Sequence, residues 1–214
     1  MAIPYADRHQ AGNILADELK EYADQRQVIV LALPRGGVPV GAVIAAALGA
    51  PLDVILVRKL GLPGHEELAM GAIATGNARV MNDDVLRFKR VSESAIERVV
   101  EKERKELERR EKTYRGDRPL PNLEGRTVIL VDDGLATGAT MRAAIQVVRQ
   151  QSPEKIVMAV PVAPRDTLER MREEADEVVC PAVPSSFMGI GQWYQDFGQT
   201  SDQEVKNLLE QASR

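Results

Sequence analysis

The stretch TVILVDDGLATGAT, residues 127–140, decides the fold of this sequence. Its first five residues, Thr127 to Val131, are β-branched or aliphatic and uncharged, which is typical of a buried strand in a parallel sheet. Two carboxylates, Asp132 and Asp133, come next, and a loop of small residues then leads into the helical run MRAAIQVVRQ. The order predicted here is therefore a strand, an acidic pair, a Gly/Thr loop (residues 134–140) and a helix.

The Gly/Thr loop has the composition of an anion-binding site. Gly134 and Gly138 let backbone N–H groups approach an anion, and the N-terminus of the following helix adds its partial positive charge. The hydroxyls of Thr137 and Thr140 can donate to the same anion. The acidic pair can accept hydrogen bonds from sugar hydroxyls or hold Mg²⁺ through water. A ribose 5-phosphate meets all of these requirements.

Three other interpretations of this stretch fit less well. A P-loop requires a lysine after its second glycine, and this loop has none. Receiver domains carry an acidic pair after their first strand, whereas this pair falls past the middle of the chain. A purely structural turn requires neither two adjacent acids nor two threonines. A ribose-phosphate site therefore remains the favoured interpretation.

The run VILVDDGLATGAT resembles the phosphoribosyl diphosphate (PRPP) signature of type I phosphoribosyltransferases, in which four aliphatic residues and two acids precede G-x-x-T-G-x-T. The resemblance implies Mg²⁺-dependent transfer of ribose 5-phosphate from PRPP to a small nitrogenous base, with release of pyrophosphate, as in nucleotide salvage. It implies no direct protein ligand for Mg²⁺, which would be held through PRPP and water near the acidic pair. The PRPP-binding residues expected here are Asp132, Asp133, Gly134, Ala136, Thr137, Gly138, Ala139 and Thr140.

A second candidate segment is the turn Pro34-Arg35-Gly36-Gly37, between a predicted strand over 28–33 and a predicted helix over 38–48. Open α/β sheets bind ligands at the carboxyl ends of their strands, where this turn lies. The glycines allow close backbone approach, and Arg35 offers a fork for phosphate. LPRGG is similar to the pyrophosphate loop of phosphoribosyltransferases, which makes Arg35, Gly36 and Gly37 candidate PRPP ligands. A tight turn with a surface arginine is the alternative.

The next predicted strand, residues 52–57, runs into the charged segment 58–67. Arg58-Lys59 followed by L-P-G resembles adenine and orotate phosphoribosyltransferases, in which a mobile loop begins here and closes over the substrate. We therefore expect a loop over 58–67 and catalytic roles for Arg35, Arg58, Lys59, Asp132 and Asp133. The second lysine usual in those enzymes is replaced near Leu62. For His65, both an exposed loop position and a catalytic role stay open.

Two further elements follow this segment. Residues 70–74 and 79–81 flank a four-residue loop and predict a β-hairpin. Residues 92–114 carry acid-before-base pairs four apart, such as Glu101/Lys105, which favour a long exposed helix with Ser92 as its N-cap. Its narrow apolar stripe suits either a helix lying on the body or an arm that contacts a second subunit in a homo-oligomer.

The C-terminal segment 184–197 contains two of the three Phe residues and the only Trp. Aromatic side chains with glycines between them can stack on a planar base, so Phe187 and Trp193 are candidate base-binding residues. The region loosely resembles the hood of purine-salvage phosphoribosyltransferases. A small aromatic core under a loop is the alternative.

The whole sequence predicts an α/β fold with a doubly wound, mostly parallel sheet, a small C-terminal hood (about 181–200) and a long helical insertion (about 92–114). Its 214 residues suit a single phosphoribosyltransferase domain over 1–214. A net charge of −4 does not favour nucleic acid, and no apolar run is long enough for a membrane span. The single cysteine fits a cytoplasmic protein. The rival hypothesis is a non-catalytic regulator of this fold that senses PRPP or nucleotides.

Overall fold

The computed structural model of the protein describes residues 5–89, 91–116 and 118–212. The helices are α1 Arg8–Glu18, α2 Gly37–Leu48, α3 Asp83–Lys89, α4 Glu93–Arg115, α5 Ala139–Arg149, α6 Arg165–Arg172 and α7 Asp202–Ala212. The strands are β1 Val28–Ala32, β2 Leu52–Val54, β3 Val57–Leu62, β4 His65–Ala74, β5 Ala78–Met81, β6 Thr127–Val131, β7 Lys155–Ala159 and β8 Glu177–Val179. The predicted order of elements is confirmed outside the segment 57–67, except that α3 is an additional short helix that the sequence analysis does not predict.

Five strands form a parallel sheet in the order β2-β1-β6-β7-β8. The central strands β1 and β6 are buried along their whole length, which explains their uninterrupted apolar sequences. Ala32 of β1 pairs with Val131 of β6, so the two strands end at the same level of the sheet. The turns that follow them therefore emerge side by side.

Helices cover both faces of this sheet, as the prediction of a doubly wound fold requires. One hydrophobic cluster packs α1, α2, α4 and α7 on the first face and includes Leu15, Ile44 and Leu209. The other packs α5 and α6 on the second face and includes Ile145 and Leu168.

A second, antiparallel sheet of β3, β4 and β5 corrects one expectation. The sequence predicts a strand to residue 57 and a loop over 58–67, but β2 ends at Val54, and β3 and β4 form a hairpin that turns at Pro63-Gly64. Leu60 and Leu62 are buried in the cluster that includes α4, while Lys59, next to Leu60, is exposed. A strand with one solvent face carries the polar and glycine residues that resemble a loop, which explains the wrong prediction.

The hairpin of β4 and β5 is confirmed, with a three-residue connection, Thr75–Asn77, in place of the expected four. The long helix α4 is also confirmed, and the Ser92 hydroxyl caps it by accepting the Ala95 N–H at 3.3 Å. Its apolar stripe, which includes Val100 and Leu107, is buried against the body of this same chain. Within the described ranges, no helix combines the length and apolar character needed to cross a membrane.

Candidate functional site

The turn Pro34–Gly37, called here the Arg35 turn, packs directly against the acidic pair Asp132 and Asp133. The Leu33 N–H donates to the Val131 carbonyl at 2.9 Å, which joins the two strand ends. A Cβ added to Gly37 would lie 2.7 Å from that carbonyl oxygen, and one added to Gly36 would overlap the Asp133 carboxylate. Both glycines are therefore required by close approach. The structure brings together the two segments that the sequence marked separately.

The two carboxyl groups of the acidic pair are neighbours and are shielded from water, which disfavours their charged forms. Asp132 Oδ1 accepts the Asp133 backbone N–H at 2.8 Å. Burial raises the pKa of Asp132 well above its ordinary value, and the neighbouring Asp133 charge raises it further. Burial also raises the pKa of Asp133, although Arg8 opposes this shift. Two desolvated carboxylates in contact favour ligands that bring hydrogen-bond donors or a cation.

Arg8 is a site residue that the sequence analysis missed. Its guanidinium contacts Asp133 Oδ2 at 2.9 Å through Nε and at 2.8 Å through Nη2, with both side chains nearly buried. Its Nη1 donates to the Gly198 carbonyl at 2.8 Å, so one side chain joins α1, the acidic pair and the C-terminal segment. No local pattern marks Arg8, because its partner lies 125 residues away along the chain.

The Gly/Thr loop leads into the N-terminus of α5 with its polar side open. Gly138 has φ +74°, and a Cβ there would lie 2.9 Å from Thr167 Cγ2, so a glycine is required on both counts. The Thr167 hydroxyl donates to the Ala136 carbonyl at 2.8 Å and holds the loop from behind. Ala136, Thr137, Ala139 and Thr140 are all exposed. The helix N-terminus and the open loop together form a cradle suited to a phosphate.

The predicted basic residues do not act as one group. Arg35 is exposed and lies 3.8 Å from Asp202 of α7. Arg58 faces α4, where it pairs with Glu103 at 2.6 Å. Lys59 is the next residue of β3 and lines a cleft of about 610 Å³ between the antiparallel sheet and α5. Arg58 lines a separate, small cavity beside the Arg35 turn, so the structure splits the Arg58–Lys59 pair between two places. His65 is exposed beside the hairpin turn.

The aromatic segment, residues 184–197, contains both a core cluster and half-buried rings. Tyr194 is buried, its hydroxyl donates to the Asp133 carbonyl at 2.7 Å, and its ring stacks on Phe197 with 4.9 Å between centroids. The Arg8 guanidinium lies 4.1 Å from the Phe197 ring centroid. Tyr194, also missed by the sequence analysis, thus fastens this segment to the acidic pair.

The two candidate base-binding residues differ from Tyr194 in exposure. Phe187 and Trp193 are half-buried, and Trp193 packs on the cluster of Tyr5 and Tyr194. With the Gln192 amide oriented to satisfy its neighbours, the Trp193 indole N–H donates to it at 3.0 Å. Trp193 therefore has both a packed side and an accessible one.

The described residues offer no cluster of three or more His, Cys, Asp or Glu side chains that could hold a metal ion. An adjacent pair of carboxylates does suit Mg²⁺ when substrate phosphates and water complete its coordination. The donor set thus fits a metal that arrives with a phosphorylated ligand.

Comparison with known proteins identifies the class that this fold and site define. Residues 6–194 match the sequence profile of the phosphoribosyl transferase domain family. A Mycobacterium tuberculosis protein, provisionally named a phosphoribosyl transferase, is 48% identical over 210 residues, which are 98% of this chain and 47% of that protein. The chain thus spans about half the length of this relative. It belongs to the phosphoribosyl transferase family.

Two further similarities concern the structure and a shorter segment. A protein from Thermus thermophilus with a known crystal structure matches with a TM-score of 0.88 and 43% identity, over 97% of this chain and 98% of that one. Uracil phosphoribosyltransferase of Aquifex aeolicus is 36% identical over 59 residues, 28% of each chain.

Proposed function

We propose that this protein transfers the ribose 5-phosphate of PRPP to a nitrogenous base, releasing pyrophosphate in an Mg²⁺-dependent reaction. The observation that carries the proposal is the contact of the Arg35 turn with the acidic pair, beside the open N-terminus of α5. A phosphate cradle, hydroxyl acceptors and a cation thus lie at one edge of the sheet. These three features match, in that order, the 5′-phosphate, the ribose hydroxyls and the pyrophosphate of PRPP.

Each part of the site then has a defined role. The Gly/Thr loop and the α5 N-terminus bind the 5′-phosphate. The acidic pair accepts hydrogen bonds from the ribose hydroxyls and, through water, positions the Mg²⁺ that neutralises pyrophosphate charge. Arg35, Gly36 and Gly37 bind the pyrophosphate, and Lys59 in the adjoining cleft is a further cation, whereas Arg58 is neutralised by Glu103. The bond from C1′ to nitrogen forms as the bond from C1′ to pyrophosphate oxygen breaks, so charge stabilisation and positioning replace a protein nucleophile.

The base is assigned to the aromatic segment. Tyr194 holds this segment against Asp133. The half-buried rings of Phe187 and Trp193 belong to the same segment, so the same contact helps to place them beside the acidic pair. An aromatic face suits the planar surface of any nitrogenous base, so stacking leaves the choice of base to other contacts.

The proposal is tested by incubating the protein with PRPP, Mg²⁺ and one base at a time and measuring pyrophosphate release. We expect release with one class of base. The double variant Asp132→Asn/Asp133→Asn should lose PRPP binding in calorimetry, because each carboxylate contributes charged hydrogen bonds worth about 1.5–3 kcal/mol. Unchanged PRPP affinity in the double variant would contradict the assigned site.

A second candidate function is a regulator that binds PRPP or a nucleotide without turnover. It is favoured by one observation: Arg58 is committed to Glu103, and Leu62, near the position where related enzymes carry a second lysine, is buried in the core. PRPP binding without pyrophosphate release for any base would select this function.

The enzymatic proposal places the protein in nucleotide salvage in the cytoplasm. Cys180 is a half-buried free cysteine, and burial raises the pKa of its thiol to about 12, which disfavours the reactive thiolate at neutral pH.

A further inference from the structure

One face of helix α4 is directed at the candidate site. Glu103, Leu107, Arg110 and Tyr114 recur at spacings of three and four residues, which places them on one side of the helix. Leu107 and Tyr114 are buried in the hydrophobic cluster that also contains Leu60 of β3. The two polar residues of this face are therefore carried on a firmly packed support.

This face of α4 holds two basic residues of the site. Glu103 accepts hydrogen bonds from Arg58 Nε at 2.8 Å and pairs with Arg58 Nη2 at 2.6 Å. The Tyr114 hydroxyl donates to Asp202 at 2.6 Å, and Asp202 in turn lies 3.8 Å from Arg35. The helix thus positions Arg58 directly, and its Tyr114 holds the Asp202 carboxylate near Arg35.

The charged side chain of Arg110 also lies next to the Arg35 turn and the Gly/Thr loop. Its side chain lines a small cavity of about 30 Å³ together with Pro34 of the Arg35 turn, Arg58 of the hairpin and Thr140 of the Gly/Thr loop. Its Nε donates to Glu106 at 2.7 Å, while 40% of its side chain stays exposed. A guanidinium carries five N–H donors in a fork that matches phosphate. Most of that fork remains available to a ligand.

The charges around Arg110 leave a positive surplus beside the cavity. Arg58 is neutralised by Glu103, but the single carboxylate of Glu106 serves both Arg109 and Arg110. Hydrogen bonds from these two arginines lower the pKa of Glu106 to about 2, so this group of three carries a net charge of about +1 at neutral pH. The Arg110 end of the group is the one that meets the site.

We propose that Arg110 binds the pyrophosphate group of PRPP, which makes α4 a wall of the active site. This inference rests on the proposed function and deepens it. Because the cavity of about 30 Å³ has room only for one or two water molecules, the leaving group is assigned to its rim, beside the Arg35 turn and Arg110. Pyrophosphate bound there lies between the Arg35 turn, which Pro34 represents at the cavity, and Arg110. Helix α4, the long insertion, then takes part in the reaction. This role differs from both earlier alternatives, a helix lying on the body and an arm that contacts a second subunit.

The chain provides a matched control for the test. Arg109 pairs with the same Glu106 at 2.8 and 3.0 Å, but its side chain is 62% exposed and does not line the cavity. Arg110→Gln and Arg109→Gln thus remove the same charge and the same type of ion pair. Each variant is titrated calorimetrically, at fixed ionic strength with Mg²⁺, with inorganic pyrophosphate, PRPP and ribose 5-phosphate.

We expect Arg110→Gln to weaken pyrophosphate and PRPP binding by about tenfold or more, the effect of losing a charge-assisted hydrogen bond. Ribose 5-phosphate, which lacks the pyrophosphate, should bind as before, and Arg109→Gln should change all three affinities by less than about twofold. Equal pyrophosphate affinity in Arg110→Gln and the wild type would overturn the inference while leaving the proposed function intact. A wild-type protein that binds neither PRPP nor pyrophosphate would overturn the proposed function itself.

Thermal unfolding of both variants checks that the fold is kept. If Arg110→Gln does not fold, Arg110→Lys takes its place, since it keeps the charge and the stem but loses the fork. It should bind pyrophosphate several-fold more weakly than the wild type, and unchanged binding would equally overturn the role of Arg110.

Discussion

Asp132 is a single residue whose proposed role in binding conflicts with the stability of the fold. Its pKa is raised in the folded protein, chiefly by burial, so the folded state holds a proton more tightly than the unfolded chain does. Stability therefore falls as the pH rises from the ordinary carboxyl value of 3.8 towards the raised value. At neutral pH, which lies above the ordinary carboxyl value, the raised pKa of Asp132 is therefore a net cost to folding.

Asp132→Asn should consequently raise the melting temperature at pH 7, by about 2–4 °C for each kcal/mol gained in a chain of this size. The gain should vanish near pH 4, where the wild-type carboxyl keeps its proton. Thermal unfolding followed by circular dichroism across this range measures it. Glu124→Gln, at an exposed position, is the charge-matched control and should show no such trend. A destabilised Asp132→Asn at pH 7 would refute the electrostatic account.

Arg8 makes the complementary prediction, because its removal leaves Asp133 without a counter-ion. Arg8→Met should destabilise the protein at neutral pH by about 3 kcal/mol, the low end for a broken buried pair, since Asp133 can respond by taking up a proton. The loss should shrink on acidification. Chemical denaturation at pH 5 and pH 8 measures it, and Arg8→Met/Asp133→Asn should recover part of the loss. A pH-independent loss that the second change does not relieve would point to packing alone.

At the scale of the elements, the β3–β4 hairpin and a mobile loop predict different rates of tryptic cleavage. A mobile loop over 58–67 would expose the trypsin sites after Arg58 and Lys59 until PRPP closed it. The hairpin instead buries Leu60 and Leu62 and pairs β3 with β4, so trypsin should cut there slowly even without ligand. Mass spectrometry of early tryptic fragments decides between the two. Rapid cleavage after Lys59 that PRPP suppresses would restore the closing loop.

The aromatic segment makes the other prediction at this scale. Trp193→Ala should weaken acceptor binding by about 1–3 kcal/mol, the range for base–aromatic stacking, and leave PRPP affinity nearly unchanged. Because Trp193 is the only tryptophan, its fluorescence should also respond to the correct class of base in the presence of Mg²⁺ and pyrophosphate. Phe187→Ala is the companion variant. A silent fluorescence signal, with Trp193→Ala losing global stability, would place Trp193 in the core.

The sequence predicts an element well when neighbouring residues in the chain determine it, and poorly when residues far apart in the chain determine it. The strand before Asp132, the helix after Gly138 and the helix from Asp202 follow from local periodicity, so they were predicted closely. The β3–β4 hairpin was missed because the loop over 58–67 is taken from the resemblance to other phosphoribosyltransferases, whereas the pairing of β3 with β4 that buries Leu60 and Leu62 is not visible in the local sequence. Arg8, Tyr194 and Arg110 were missed because their roles depend on partners that only the folded chain brings near, such as Asp133, 61 residues from Tyr194.

For the whole molecule, the distribution of the core predicts cooperative unfolding. One hydrophobic cluster draws on α1, α2, β3, α4 and α7, so neither the insertion nor the C-terminal helix has a core of its own. Trp193 packs on the small cluster of Tyr5, Ala11 and Tyr194, and Ala11 belongs to α1, which joins that cluster to the larger one. Far-UV circular dichroism and Trp193 fluorescence should therefore report the same midpoint in urea. An earlier fluorescence transition would show that the aromatic segment unfolds as a separate unit.

The bridge from Arg8 to Asp133 and on to the C-terminal segment also imposes an order on biosynthesis. Of the three residues Arg8 leaves the ribosome first, Asp133 follows 125 residues later, and the Tyr194 hydroxyl that binds the Asp133 carbonyl follows after another 61. A nascent chain interrupted between these points holds two crowded carboxylates without their full set of partners. The candidate site is thus complete only after Tyr194 has been synthesised, and products terminated before this residue should be bound by chaperones or degraded by proteases and show no partial activity.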